Sequence, residues 1–342
     1  MNLERAHVLI TRTDNIGDVV LTLPLAGYLK QRFPNMRISF LCREYAAPMV
    51  RCCKALDAVV AIEQIQDMTE ELKLSDIDII IFGKPDKALA KAAKDAGIRH
   101  RVGTSHRWFH WLYCNRLAHF SRVKSDLHEA QLNFKLLEPL GIRHIPSLDE
   151  IPALYQLAAP PYHGTPELPR DRFHVVLHPK SNGNGREWPV SHFTALARLL
   201  QPHERVRLWV TGSPREGEWL AQHAPELLAQ PNVSNVCGKF SLGELTAFIG
   251  AADGLIASGT GPLHLSAALG QRTLGLFPPI KPIDPARWGA LGKRAQVLCK
   301  PTGCGSCSDP QQCACMANIT PEDVRDVVVQ WEAATFAATA AR

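Results

Sequence analysis

The chain has 342 residues, of which 46% are hydrophobic and 21% charged, and its formal net charge is +5. The length exceeds the usual size of one hydrophobic core and predicts two domains, and the composition is ordinary for a globular protein and does not favour intrinsic disorder. No apolar run approaches the roughly 20 residues that cross a bilayer, and the first ten residues lack the apolar segment of a signal peptide. We therefore expect a cytoplasmic protein, in which most cysteines would be reduced.

The first half alternates short β-rich runs with longer helical patterns, which indicates parallel βαβ units. Strands are predicted at residues 7–11, 37–42, 58–62 and 77–82. The pattern then fails, and six prolines fall between residues 142 and 171. Such a stretch is typical of a linker between domains. We therefore predict an N-terminal domain at 1–150 and a proline-rich linker at 151–171.

The alternation restarts near residue 173 and continues to residue 277. It predicts a second α/β domain at 172–325, which includes a cysteine-rich loop at 299–315. A C-terminal helix at 326–342 is expected to pack back on the N-terminal domain. Two doubly wound domains that face each other create a cleft, and ligands of such sheets bind at the carboxyl ends of the strands. The loops after the strands are therefore where functional residues are expected.

One such loop lies in the second half, where IASGTGPLHLSAALG joins a strand to a helix that begins near Pro262. Its small residues let a ligand approach the backbone, and the unpaired N–H groups of a helix start attract an anion. We predict that Ser258, Gly259, Thr260 and Gly261 bind a diphosphate. The alternative is a tight turn in which Thr260 is only the N-cap.

Two further loops carry polar residues. HPKSNGNGREWP supplies Lys180, Ser181, Asn182 and Arg186, which are suited to clamp the same diphosphate. Solvated loop charges are the alternative. In TGSPREGEW, Glu216 is a candidate for a ribose hydroxyl, although an acid there also favours the first turn of a helix.

The loop after the first strand carries one glycine and then Asp18, where many nucleotide-binding folds have a glycine-rich phosphate cradle. The chain has neither GxGxxG nor GxxxxGK, which argues against a dinucleotide-binding fingerprint or a P-loop. Asp18 is therefore a candidate general base for an incoming hydroxyl. The alternative is an acid that stabilises a helix N-terminus. Because that dipole would lower the pKa of Asp18, catalysis requires an opposing influence such as desolvation.

No acid occurs between Asp95 and Asp126, while cations and aromatic residues are frequent there. This asymmetry favours an acidic phosphorylated glycolipid near a membrane surface. Nucleic acid would select a similar composition, and aromatic residues buried in the core are the alternative. A second unusual feature is a group of five cysteines, Cys299, Cys304, Cys307, Cys313 and Cys315. These cysteines could bind a structural metal ion or an iron–sulfur cluster, form disulfides or remain free thiols.

Four segments in this order resemble glycosyltransferase family 9, the lipopolysaccharide heptosyltransferases. They are NIGDVVLTLPL, the YNR-like YCNR at 113–116, HPKSNGNGREWP and SGTGPLHLSAALG. The resemblance implies a GT-B fold, with two facing Rossmann-like doubly wound domains and a cleft between them. It also implies inverting sugar transfer from a nucleotide diphosphate without a required metal.

By that resemblance Asp18 matches the general base, and Thr260, Gly261 and His264 match the donor-binding turn and the helix after it. Arg186 matches a phosphate-contacting position that often holds lysine. Several relatives carry an aspartate where this chain has Gly259, which leaves the donor sugar open. The predicted sites are, for the donor, Lys180, Ser181, Asn182, Arg186, Glu216, Ser258, Gly259, Thr260, Gly261, Pro262 and His264, and, for the acceptor, Asn15, Arg107, Tyr113, Asn115 and Arg116.

We therefore predict an enzyme that transfers heptose from ADP-heptose onto a lipopolysaccharide core acceptor. The alternatives are a nucleotide-sugar epimerase of the same architecture and a non-catalytic nucleotide-sugar-binding protein. No cofactor is expected beyond the nucleotide-sugar donor, and a structural metal is a candidate only at the cysteine-rich loop. The expected partners are the nucleotide sugar, the glycolipid and, peripherally, the cytoplasmic face of the inner membrane, but not nucleic acid.

Overall fold

A computed structural model describes residues 3–181, 183, 185–300 and 313–340. The chain forms two compact units, Met1–Ala158 and Ala159–Arg342. Residues 151–158, which the proline pattern assigns to the linker, belong to the first unit. Within the described residues no helix has the length and apolar character needed to cross a membrane.

The first unit is built around a parallel sheet. Its strands are β1 (His7–Thr11), β2 (Arg37–Cys42), β3 (Ala58–Ala61), β4 (Ile79–Phe82), β5 (His100–Thr104) and β6 (Arg116–Ala118). Its helices are α1 (Ile16–Val20), α2 (Leu23–Arg32), α3 (Ala47–Val50), α4 (Met68–Leu74), α5 (Lys87–Asp95), α6 (Trp108–Tyr113), α7 (Glu129–Phe134) and α8 (Ile151–Leu154). Short 3-10 helices lie at Glu44–Ala46, Ile62–Gln64 and Lys135–Leu140.

The strand order in this sheet is β3-β2-β1-β4-β5-β6, and every pair is parallel. All residues of β1 and β4 are buried, because helices cover both faces of a parallel sheet. The prediction for β1 and β2 is confirmed, whereas β3 and β4 are slightly shorter than predicted. Strand order reverses between β1 and β4, and such a switch point opens a crevice at the carboxyl ends of the two strands.

Helix α8 packs against α2 at Gly27, where a Cβ atom would lie 1.8 Å from the Leu154 carbonyl oxygen. Replacing a helical glycine with alanine usually stabilises a protein by about 0.5–1 kcal/mol. At this position the two helices would have to separate. We expect Gly27→Ala to lower the free energy of unfolding by about 1–3 kcal/mol, as overpacking does elsewhere. Urea unfolding measures the change, and an unchanged or higher stability would contradict the close packing of α2 and α8.

The second unit repeats the plan. Its strands are β7 (Phe173–His178), β8 (Val206–Val210), β9 (Val233–Asn235), β10 (Gly254–Ser258), β11 (Arg272–Leu276) and β12 (Ala295–Leu298). Its helices are α9 (Val190–Leu199), α10 (Pro214–His223), α11 (Pro225–Leu228), α12 (Leu242–Ala251), α13 (Gly261–Ala268), α14 (Pro285–Trp288), α15 (Ala314–Ala317) and α16 (Pro321–Ala340).

The strand order is β12-β11-β10-β7-β8-β9, so the reversal lies between β7 and β10. These two strands pair in parallel with Ala257 opposite His178, which brings the loops that follow them to the same edge of the sheet. The sequence prediction placed the C-terminal helix against the N-terminal domain. In the structure the buried residues of α16, among them Val324, Val328 and Trp331, pack in the core of the second unit.

Candidate active site

Arg12 occupies the switch point of the first unit. It follows β1 directly, and its Nη1 atom donates a hydrogen bond of 3.0 Å to the carbonyl oxygen of Gly83, the residue after β4. A Cβ atom at position 83 would lie 2.8 Å from the Thr11 carbonyl oxygen and 3.2 Å from Cδ of Arg12. The absence of a side chain at Gly83 therefore leaves the space through which the Arg12 side chain passes.

The Arg12 guanidinium is buried and holds two carboxylates. Its Nε atom donates to Oδ1 of Asp14 over 2.8 Å, and its Nη2 atom donates to Oδ1 of Asp18. Arginine suits this position because its planar group presents several donors in a fixed geometry. The buried positive charge offsets the cost of placing two acids in a crevice with little solvent.

Asp18 lies on α1, and its side chain is 18% exposed. Burial raises the pKa of this carboxyl, against the opposing effect of Arg12 and together with the repulsion from Asp14. Burial is the largest of these effects and supplies the desolvation that a general base at this position was expected to require. A carboxylate whose pKa is raised accepts a proton more readily, as a general base must.

A polar network fixes α1. Asn133 on α7 donates through Nδ2 to the Leu21 carbonyl oxygen over 2.9 Å, and its Oδ1 accepts from Nη2 of Arg122 over 3.1 Å. The Thr22 hydroxyl donates to the backbone carbonyl oxygen of Asp18 over 2.8 Å. Asp18 is thus held by backbone contacts as well as by its own ion pair, which limits its movement.

Asn15, one of the predicted acceptor residues, directly precedes the helix that carries Asp18. It is the exposed N-cap of α1, and its side chain makes no capping bond. Arg107, Tyr113, Asn115 and Arg116 lie on α6 and around β6, the edge strand that is three positions from β1 in the sheet. These four residues thus belong to the segment from α6 to β6, whereas Asn15 belongs to the loop after β1.

Asn115 bonds to the backbone of β5 and the residue before it. Its Oδ1 accepts from the Arg101 amide over 2.9 Å, and its Nδ2 donates to the Arg99 carbonyl oxygen over 2.8 Å. Arg107 and Arg116 are exposed, and Tyr113 is half-buried. These two bonds attach the connection between α6 and β6 to the backbone at β5, which is a structural role.

In the second unit, the turn between β10 and α13 lies at the switch point. We call residues 258–262 the β10–α13 turn. Thr260 is the N-cap of α13 and is 8% exposed, yet its hydroxyl makes no capping bond and has no hydrogen-bond partner among the described residues. A buried hydroxyl without a partner is costly. The Thr260 hydroxyl is therefore available to a ligand at the start of the helix.

The loop after β7 lies against this turn. The Trp188 amide donates to Oγ of Ser258 over 3.1 Å, and a Cβ atom at Gly185 would lie 3.1 Å from the Gly259 carbonyl oxygen. The structure thus brings together two segments that are about 70 residues apart in sequence. Asn182, which was also predicted here, lies outside the described residues.

Lys180 is engaged within that loop. Its Nζ atom forms an ion pair with Oε2 of Glu187 and lies 3.8 Å from the centre of the Trp219 ring. Glu187 also accepts from the Ser181 amide over 2.8 Å and from the Ser181 hydroxyl over 3.0 Å. Lys180 and Ser181 are therefore positioned by an acid that the sequence analysis did not select.

The remaining predicted donor residues occupy three settings. Gly261 and Pro262 begin α13, His264 is buried one turn later, and Arg186 is half-buried in the loop after β7. Glu216 belongs to the capping box of α10, where its Oε2 accepts from the Ser213 amide over 2.7 Å. The observed bonds of Glu216 are therefore those of an acid in the first turn of a helix, which was the alternative to a contact with a ribose hydroxyl.

Cys313 and Cys315 are buried in the core of the second unit, and Cys299 is half-buried. None of the eight described cysteines forms a disulfide bond, while Cys304 and Cys307 lie outside the described residues. In the described part of the chain no three His, Cys, Asp or Glu side chains are grouped so that they could hold a metal ion.

The sequence of residues 93–316 matches the profile of Glycosyltransferase family 9 (heptosyltransferase). The chain belongs to glycosyltransferase family 9. The β10–α13 turn and the loop after β7 lie inside the matched region of this family 9 enzyme, whereas Asp18 lies before it. The family assignment based on four short segments is thereby confirmed.

Known proteins extend the similarity to nearly the whole transferase. Lipopolysaccharide heptosyltransferase 1 of Escherichia coli K12 is 25% identical over 317 residues, which cover 86% of this chain and 93% of that protein. A glycosyl transferase family 9 structure from Veillonella parvula has a TM-score of 0.75 at 18% identity, covering 97% of this chain and 98% of that one. The structure of Escherichia coli ADP-heptose lipopolysaccharide heptosyltransferase II has a TM-score of 0.71 at 17% identity, with coverage of 96% and 99%. These likenesses confirm the GT-B fold.

Sequence reasoning missed Arg12, Glu187 and Trp219 in this family 9 enzyme. Arg12 had a usable signal, since it is a charged residue directly after a buried strand, at the edge where ligands bind. Glu187 lies between a basic residue and a tryptophan in the loop, and its partner could not be identified without the fold. Trp219 lies on α10, and its contact with Lys180 follows only from the packing of that helix near β7.

Proposed function

We propose that this glycosyltransferase transfers heptose from ADP-heptose to a phosphorylated lipopolysaccharide core acceptor, with inversion and without a required metal ion. The family match and the names of the relatives support this substrate class. The observation that carries the proposal is the buried Thr260 hydroxyl at the N-terminus of α13, for which the described part of the chain provides no hydrogen-bond partner. An oxygen of a donor phosphate would supply the missing partner.

The donor diphosphate would lie on the β10–α13 turn. The first amides of α13 have no partners inside the helix, and the partial positive charge of the helix start favours an anion. Lys180 adds a cation, although Glu187 balances part of its charge in the structure. Arg186 is the second candidate cation for the phosphates. Together these groups would stabilise the negative charge that develops on the leaving ADP.

The proposed step is a single displacement. Asp18 removes the proton from the acceptor hydroxyl, and that oxygen forms a bond to the anomeric carbon of the donor sugar. The bond between the anomeric carbon and the phosphate oxygen breaks, its electron pair leaves with ADP, and the sugar passes through an oxocarbenium-like transition state. Attack on the face opposite the leaving group inverts the anomeric carbon.

On the acceptor side, we propose that Asn15 contacts the incoming sugar near Asp18. Arg107, Tyr113 and Arg116 would act at a distance from this point, on phosphates of an extended acceptor. Asn115 is the least suited to bind a ligand, because both ends of its amide are bonded to backbone. A cytoplasmic location fits these substrates and stays a prediction.

An assay with ADP-heptose, a deacylated heptose-deficient core oligosaccharide and EDTA tests the proposal. We expect one ADP released for each product molecule that gains a heptose, with an inverted anomeric configuration by NMR. Donor conversion in the absence of acceptor would instead identify an epimerase. Donor binding without turnover would identify a binding protein. Because Gly259 leaves the sugar open, other nucleotide sugars are screened in parallel by thermal shift.

The role of Thr260 is tested by Thr260→Val, with Thr260→Ser as the matched control. The valine has nearly the same shape and removes a hydroxyl that makes no hydrogen bond to any residue the structure describes, so the melting temperature should be unchanged or higher. A lost hydrogen bond to a charged phosphate should weaken ADP binding by about 10- to 100-fold. Calorimetric titration with ADP measures this, and equal affinity of the valine and serine variants would exclude Thr260 from the donor site.

A further inference from the structure

Helix α6 exposes a large apolar surface on one side. Trp108, Trp111 and Leu112 are 64%, 60% and 56% exposed, and their spacing places them on one helical face. The opposite face is formed by Phe109 and Tyr113, which pack on the core of the first unit. We call the exposed residues 108, 111 and 112 the tryptophan face. The alternative that these aromatic residues are all core residues is wrong for both tryptophans.

The tryptophan face is held in its exposed position. Nε1 of Trp111 donates to the Ser105 carbonyl oxygen over 2.9 Å. The Trp108 ring lies edge-on to Phe109 at 6.0 Å between centroids, and Nζ of Lys87 lies 5.0 Å from its centre. These contacts fix the rings against the helix without covering them. A ligand that covers the face therefore meets a preorganised apolar surface.

Cations border the tryptophan face. Lys87 lies over Trp108, and Lys94 donates to the Leu112 carbonyl oxygen over 3.0 Å. Arg107, directly before the helix, is exposed. No acid occurs between Asp95 and Asp126, and Asp95 is itself paired with Lys91. Lys87, Lys94 and Arg107 thus place positive charge beside the rings.

We propose that the tryptophan face inserts into the headgroup region of a membrane that contains anionic phospholipids. Tryptophan prefers this region because its ring is apolar while its N–H remains polar, and nearby lysines and arginines are attracted to anionic headgroups. A second copy of the chain suits the face less well, since a two-fold contact would bring like charges together. The inference rests on the proposed function only in that the acceptor glycolipid would lie in the same bilayer.

Co-sedimentation with vesicles tests this inference without any substrate. The full chain is mixed with vesicles of phosphatidylcholine and phosphatidylglycerol, or of phosphatidylcholine alone, at low and high salt. The test variant is Trp108→Ser/Leu112→Ser, which removes no observed hydrogen bond of either side chain. The matched control is Leu74→Ser, which alters a leucine on α4 that is 82% exposed.

We expect the wild type to bind the anionic vesicles, more weakly at high salt and weakly to phosphatidylcholine alone. The double variant should bind at least about tenfold more weakly, with an unchanged melting temperature and unchanged turnover of a deacylated acceptor. The Leu74→Ser control should bind like the wild type. Equal binding by the double variant would overturn the proposal. So would a wild-type dimer that becomes monomeric in that variant, because a second copy would then cover the face.

These outcomes are separable from failure of the proposed function. If the chain transfers no heptose but the double variant still loses vesicle binding, the proposed membrane contact is supported and the proposed reaction is contradicted. If the wild type transfers heptose to the deacylated acceptor but does not bind vesicles, the proposed reaction is supported and the proposed membrane contact is contradicted.

Discussion

Asp18→Asn is expected to retain ADP binding and to lower kcat by about 10²- to 10⁴-fold, the usual contribution of a general base. Asparagine preserves the size of the side chain and an oxygen that can accept from Nη2 of Arg12, so α1 should keep its position. It cannot accept the proton of the acceptor hydroxyl. Steady-state kinetics with saturating acceptor and calorimetric titration with ADP measure the two effects.

Asp14→Asn is the matched control, because Asp14 is the other carboxylate bound to Arg12 and is similarly buried. Repulsion from Asp14 contributes to the raised pKa of Asp18, so its removal should lower that pKa and leave most of the turnover. Asp18→Asn with normal turnover, or Asp14→Asn with an equally large loss, would remove the general-base role from Asp18.

Arg12→Met is expected to have the second large effect. It removes the positive charge and hydrogen bond that lower the pKa of Asp18, while desolvation and Asp14 continue to raise it. The acid limb of the pH dependence of kcat should therefore move to higher pH. Breaking a buried ion pair typically costs about 3–5 kcal/mol of stability. That loss should be largest at high pH, because the Asp18 carboxyl, whose pKa is raised by burial, destabilises the fold where it is ionised and does not where it is protonated.

Arg198→Met is the control for stability. The ion pair of Arg198 with Glu226 is mostly exposed, and such pairs contribute less than about 1 kcal/mol. Urea unfolding of both variants across a pH series gives the comparison. If Arg12→Met were as stable as Arg198→Met and had an unshifted acid limb, Arg12 would not set the proton affinity of Asp18.

The sequence sufficed for the order of elements and for the two switch-point loops. Buried parallel strands such as β1 and β10 are short apolar runs, and the turns after them carry Asp18 and Thr260. The prediction of two doubly wound units needed only that alternation. The prediction for the extent of β4 was less good, because Ile77 and Asp78, which the prediction included in the strand, precede the ladder that begins at Ile79.

The sequence did not suffice for contacts between segments that are distant in the chain. Nothing local to Arg12 indicates that its guanidinium meets Gly83, 71 positions later, since β4 becomes the neighbour of β1 only in the folded sheet. Lys180 was predicted to clamp the diphosphate, but its ion pair with Glu187 was not predicted, because that contact depends on the shape of the loop between them. The direction of the Asp18 pKa shift likewise depends on burial, which periodicity alone does not reveal.

Gly259 has a neighbour that links it to a second position in the chain. A Cβ atom at 259 would lie 3.0 Å from Cε1 of Phe277, and one at Gly275 would lie 2.7 Å from Cε2 of the same ring. The phenylalanine thus fills the volume that a side chain at 259 would need. A side chain at 259 therefore requires the Phe277 ring to shift by a few tenths of an ångström, so the freedom of that ring decides whether this turn tolerates a carboxylate.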